Sequence, residues 1–316
     1  MDNINKFQGL IILLMAFLGL ILGQIDFIQR YASIIIMPSL IIMLFLVFIQ
    51  IPLKDITSSF KNIKFTFTSV LINFVWTPLL IFILGKLFLK NNPELLIGFV
   101  MLMVTPCTDW YLIFTRIAKG NVALGTSILP LNFFLQLILL PVYVFLIGGS
   151  TIEINVLSLT FGVFLSLGIP LFSAILYRKF ISNLKKTSKF KETITYKISG
   201  FQSYFLNISI IAMFASEGNS LLENPSIIIK MLIPILLFFI INFILVQFIG
   251  KFLNLTNEDT VSLTLTTLAR NSPVALAIAV ATFPDVPLIS LVLIIGPLIE
   301  LPVLFIISKI LLIIKS

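Results

Sequence analysis

The chain has 316 residues, 59% of them hydrophobic and 11% charged, which is too little polar surface to cover a water-soluble globule of this length. One cysteine and no histidine exclude an internal disulfide and the Ser/His/Asp and Cys/His catalytic constellations, and leave carboxylates to carry any coupled proton. The composition predicts an all-α polytopic protein whose solvent is lipid, and the net charge of +8 is explained below by topology, without a nucleic-acid partner.

Ten stretches are long and apolar enough to cross a hydrocarbon core of about 30 Å. They cover residues 8 to 24, 32 to 52, 65 to 89, 95 to 118, 121 to 147, 155 to 177, 197 to 215, 226 to 250, 260 to 283 and 286 to 314. No small-residue cleavage pattern follows the first, so it is read as a retained span. The seventh is polar on one side through Gln202, Ser203, Tyr204 and Asn207, which suits a helix facing a cavity or a neighbouring domain.

Ten spans put six connecting segments on the side of the N-terminus. These hold Lys6; Lys54, Lys61 and Lys64; Arg116 and Lys119; Arg178, Lys179, Lys185, Lys186, Lys189, Lys191 and Lys197; Lys251; and Lys309 and Lys315. The opposite side holds only Arg30, Lys86, Lys90 and Lys230. Cationic loops stay cytoplasmic, so the asymmetry predicts a multi-pass plasma-membrane protein with both termini inside the cell.

The one extended polar connection, 178 to 197, follows the sixth span, and the ten spans read as two halves of five. An odd number makes the halves inverted in the membrane, as in alternating-access carriers with a site at the repeat interface. Residues 1 to 177 hold the first repeat and its continuation into the sixth span, and residues 197 to 316 hold spans seven to ten. Leu-Leu-Pro-Val at 139 to 142 recurs as Glu-Leu-Pro-Val at 300 to 303, an offset of 161.

That offset lays the fourth span on the ninth, and both are interrupted. Val104-Thr105-Pro106-Cys107-Thr108-Asp109-Trp110 and Leu268-Ala269-Arg270-Asn271-Ser272-Pro273 each carry a proline that removes a helical hydrogen bond. Broken backbone at membrane depth persists only where it lines protein or water, so both breaks are candidate substrate contacts. The offset also places Asp109 opposite Arg270, as an ion pair, as a pair with substrate or water between them, or as a lock on the crossing. Glu300, well inside the tenth span, is a second proton-carrier candidate beside Asp109, or a carboxylate that caps broken backbone. Cys107 is a soft ligand suited to a thiophilic metalloid, or a small apolar filler. Asn132, with Gln136 one turn on, adds polar atoms to the fifth span on the side expected to face the cavity. Neither a nucleophile with a positioned base nor a metal cluster is visible, so an enzyme, a cofactor and a resident metal are not expected.

Cys107-Thr108 through Trp110 to Ala118-Lys119-Gly120-Asn121, with residues 276 to 281 and 296 to 303, resembles the arsenite permease family of the bile acid/sodium symporter superfamily. In those permeases a Cys-Thr or Cys-Ile pair precedes Lys-Gly by the spacing seen here. The resemblance implies two inverted five-helix repeats with discontinuous helices 4 and 9 crossing in a core domain (spans 3 to 5 and 8 to 10), beside a panel domain (spans 1, 2, 6 and 7). It also implies export of arsenite, and of antimonite, in exchange for protons, with Cys107 contacting the metalloid. Two departures stand out. The permeases carry a Glu in the ninth span that Asn271-Ser272-Pro273-Val274 lacks. The sodium-coupled branch has a Glu and a Gln where this chain has Thr266 and Arg270, which weakens both sodium sites and favours protons. The alternative cargo is an organic anion, symported with sodium or protons, with Arg270 binding its carboxylate or sulfonate bidentately.

Overall fold

The computed structural model describes residues 8–50, 62–108, 110–149, 167–183, 197, 201–223 and 225–315. The described elements are α1 (Gln8–Leu22), α2 (Asp26–Gln50), α3 (Ile63–Phe88), α4 (Pro93–Met103), α5 (Trp110–Ile117), α6 (Val122–Gly148), α7 (Ile169–Asn183), α8 (Gln202–Glu223), α9 (Ser226–Phe252), α10 (Asn257–Leu268), α11 (Ser272–Thr282) and α12 (Pro287–Lys315). No strand occurs among the described residues.

Among the described residues, five helices are each long and apolar enough to cross a membrane: Asp26–Ile49, Ile63–Phe88, Val122–Gly148, Ser226–Phe252 and Pro287–Ile314. The side chains are distributed in the reverse of a water-soluble protein. Phe17, Phe27, Phe67, Leu87, Phe248 and Phe252 point outward, whereas Asn73, Asn132, Gln136, Asn242, Arg270 and Glu300 are buried. Lipid rewards that arrangement, because polar groups facing it lack partners. The chain is therefore a multi-pass membrane protein.

Helix ends depart from the predicted spans where apolar sequence and helix are different things. α2 starts at Asp26, six residues before the predicted span at 32, and α8 runs to Glu223, beyond 215. Hydropathy marks the part of a helix that crosses hydrocarbon, and polar turns extend it into the headgroups. The sixth predicted span, 155 to 177, lies partly outside the described residues, as does most of the 178 to 197 connection. Arg178 belongs to α7 and donates from Nη2 to the carbonyls of Phe48 and Ile49 at 2.7 and 2.9 Å, closing the C-terminal end of α2.

The predicted breaks are present. α4 stops at Met103 and α5 begins at Trp110; α10 stops at Leu268, Ala269 is extended, and α11 begins at Ser272. The restart of α11 has a sequence cause: Asn271 caps it by accepting from the Val274 N–H, and Pro273 sits in its first turn. Helix starts at 63, 93 and 122 recur at 226, 257 and 287, displaced by 163, 164 and 165 residues. α1, α2, α7 and α8 pack mainly on one another, and α3 to α6 pack with α9 to α12. The two groups meet where α11 reaches α2 and where α12 reaches α1 and α8.

Small residues bring the helices close, as expected where lipid leaves packing as the main attraction. Gly98 of α4 faces α12, where an added Cβ would lie 2.7 Å from Val292 Cβ and 3.0 Å from the Ile289 carbonyl; Gly296 of α12 faces Leu102 in return. We expect Gly98→Ala to cost about 1–3 kcal/mol, the range for overpacking a filled interior. Thermal unfolding of the purified protein in detergent measures it.

Candidate functional site

The two breaks meet each other. Pro106 and Arg270 form an antiparallel bridge, with the Cys107 N–H donating to the Ala269 carbonyl at 3.0 Å and the Asn271 N–H to the Thr105 carbonyl at 2.7 Å. Each proline keeps its span from continuing as one helix, and the neighbouring extended residues pair across the crossing instead. That pairing makes the irregular backbone tolerable at membrane depth.

Arg270, 2% exposed, sits at the centre. Its Nε donates to the Leu268 carbonyl at 3.0 Å, Nη1 to the Met103 carbonyl at 2.8 Å, and Nη2 to Asn73 Oδ1 at 3.1 Å and to the Thr267 carbonyl. Its backbone N–H donates to Glu300 Oε1 at 2.8 Å, and its guanidinium lies 5.0 Å from the centre of the Phe238 ring. Four of the five guanidinium N–H groups are thereby satisfied by the protein. Glu300, 3% exposed between Pro297 and Pro302 of α12, is brought to the crossing as a cap on the ninth-span break.

The other predicted residues divide by location. Asn271 Nδ2 donates to Thr108 Oγ1 at 3.1 Å, so these two side chains join the breaks a second time. Ser272 Oγ donates to the Leu293 carbonyl, tying α11 to α12. Cys107 is 3% exposed and packs in the main apolar core, within electrostatic reach of Arg270. Asn132 Nδ2 donates to Thr266 Oγ1 at 3.5 Å, while Asn132 Oδ1 and both polar atoms of Gln136 are buried without hydrogen-bond partners among the described residues. Asp109 and the side chain of Trp110 lie outside the described residues, and with them the predicted Asp109–Arg270 pair.

A narrow cavity of about 10 Å³, enough for roughly one water, opens where the two helix groups meet. Thr108, Asn271, Pro273 and Val274 line it from the breaks, Met43, Leu44 and Val47 from α2, and Gln202 and Leu206 from α8. Sequence reasoning brought Thr108 and Asn271 here and marked Gln202 as a polar position on a cavity-facing helix. It missed Met43 of α2 and Asn73 of α3, although an asparagine amid Ile72, Phe74, Val75 and Trp76 is itself an intramembrane polar signal.

Asn73 is held by a π-helical turn at Ile72–Trp76, and its Nδ2 also reaches the Thr266 carbonyl at 3.5 Å. Asn73→Leu removes an acceptor from a buried cation. The expected loss is about 1.5–3 kcal/mol, the range for a hydrogen bond to a charged group, read as a lower unfolding temperature in detergent.

A sodium bile acid symporter family model matches residues 37–224, from within α2 to the end of α8. An arsenical-resistance protein of Corynebacterium glutamicum is 25% identical over 249 residues, which cover 75% of this chain and 66% of that protein, just under two thirds of its length. A second arsenical-resistance protein, from Alkaliphilus metalliredigens, is 23% identical over 294 residues, covering 89% of this chain and 82% of the relative. An uncharacterised transporter of Synechocystis is 24% identical over 298 residues, covering 88% and 78% respectively.

Proposed function

The chain belongs to the sodium bile acid symporter family, whose members carry small molecules or ions across membranes, and within it we propose an exporter of arsenite, and of antimonite, working by alternating access in exchange for protons. The observation that carries this reading is Cys107, the chain's one thiol, at the crossing of two broken helices, in a sequence similar to two arsenical-resistance proteins. Sulfur is a soft donor and trivalent arsenic a soft acceptor, so a metalloid reaching the crossing finds one matched ligand.

The polarity of the cavity lining supports the same cargo, while its volume of about 10 Å³ in this state admits a single water and no metalloid acid. Among its described lining residues none is charged, and Thr108, Asn271 and Gln202 offer hydrogen bonds within an apolar wall. Arsenous acid is neutral at physiological pH and carries three hydroxyls, which suits a small uncharged site. A carboxylate or sulfonate would need a free cationic fork, and four of Arg270's donors already point to protein oxygens.

The displacement of helix starts by 163 to 165 residues supports two inverted five-helix repeats. The contacts support a core of spans 3 to 5 and 8 to 10 against a panel of spans 1, 2, 6 and 7. The excess of Lys and Arg in alternate segments supports both termini in the cytoplasm of a plasma-membrane protein. For coupling we assign the proton to Asp109 or Glu300; Glu300 is buried and contacts the ninth-span break directly.

The test is arsenite accumulation in cells stripped of their own efflux systems. Expression of the chain lowers retention, and both Cys107→Ser and a protonophore abolish the effect. An unaltered arsenite level would leave the fold assignment standing and remove the cargo.

A further inference from the structure

The family description includes sodium, and the crossing of this chain can be tested for its fit to a free alkali cation. Four oxygens converge there: the carbonyls of Met103, Thr267 and Leu268, and Asn73 Oδ1. The three carbonyls lie at the C-terminal ends of α4 and α10, where helices carry partial negative charge and carbonyls without intrahelical partners. A set of hard oxygens at the ends of broken helices is the chemistry that coordinates a monovalent cation inside a carrier.

Here those oxygens are taken by the chain itself. The Arg270 guanidinium donates to all four, its backbone is held by Glu300, and the face of Phe238 lies 5.0 Å from the charge. Among the described residues, the acidic groups within electrostatic reach of it are Glu300 and Cys107. An alkali ion would compete with a covalently attached cation for the same acceptors, and a free ion loses translational freedom that the side chain has already lost.

We propose that Arg270 is a tethered cation. It performs permanently the charge-neutralising role of a bound alkali ion, so this member of a sodium symporter family neither takes sodium at the crossing nor needs it to close the two breaks on each other. The proposal concerns the coupling ion and does not depend on the cargo, so a failed arsenite assay leaves it standing and its own failure leaves the cargo untouched.

The experiment is thermal unfolding of the full chain in detergent, in lithium, sodium, potassium or choline chloride at constant ionic strength. For the unaltered protein the unfolding temperature is the same in all four salts. Arg270→Gln unfolds earlier in choline and gains several degrees, saturably, with sodium or lithium, because a ligand that binds only the folded state stabilises it. Arg270→Lys keeps the charge and stays indifferent to the salt. Recovery of folded Arg270→Gln only in sodium or lithium supports the proposal equally. Sodium-specific stabilisation of the unaltered chain overturns it. So does an Arg270→Gln protein that no alkali cation stabilises or renders folded, or an Arg270→Lys protein that responds to sodium as the Gln variant is expected to.

Discussion

The structure depends on the pairing of two extended backbone segments, at Pro106 and Arg270, in the middle of a helical membrane protein. Unpaired backbone groups in hydrocarbon cost several kcal/mol each, so a single broken helix would be a liability. Two that cross can supply each other's partners, which is what the Cys107–Ala269 and Asn271–Thr105 hydrogen bonds do. Crossing then aims two helix C-termini at one place, and the resulting concentration of carbonyl oxygen calls for positive charge. Arg270 supplies it from the break itself, and Asn73, Glu300 and Phe238 converge on that residue from three other helices.

Much of this was legible in the sequence because the signals are rare in apolar segments. One arginine and one buried glutamate inside spans mark the crossing and Glu300, since each is expensive in lipid without a local reason; proline alone does not mark a break, because Pro38, Pro130, Pro141, Pro234, Pro297 and Pro302 all lie inside continuous helices. What the arginine touches was harder to read. Its partners are mostly main-chain carbonyls, which every residue has and no side chain advertises. The pairing of Arg270 with Asp109 by the offset of 161 falls outside the described residues; helix starts repeat at 163 to 165, because connections of different length shift the register between repeats. Residues lining the cavity from α2 were not legible either, since Met43, Leu44 and Val47 look in sequence like any other membrane-facing side chain.

The Ala118-Lys119-Gly120-Asn121 stretch, which supported the family resemblance, has a structural cause. Lys119 takes a left-handed φ of 55° after α5, and the Gly120 N–H donates back to the Thr115 carbonyl at 2.8 Å, closing the helix. A Cβ on Gly120 would lie 2.6 Å from Val261 Cγ1, so glycine is needed for α10 to approach. Asn121 caps α6 by accepting from the Leu124 N–H and also donates to Asp259 Oδ1 at 2.8 Å. The motif therefore locks the fifth-helix turn onto the start of the ninth span. It reports the fold, and its presence says little about cargo.

The position of the charge also constrains which parts of the protein move. Arg270 and its four acceptors belong to α3, α4, α10 and the break, all within one packed group of helices, so separating them would strip a buried cation of its partners. The narrow cavity lies elsewhere, between the breaks and α2 with α8, where among the described lining residues only Thr108, Asn271 and Gln202 are polar. Sliding along that surface exchanges van der Waals contacts and leaves the hydrogen bonds of Arg270 intact. On the proposed alternating-access reading, the energetically cheap motion is thus of α2 and α8 against the intact crossing, with the cation buried throughout.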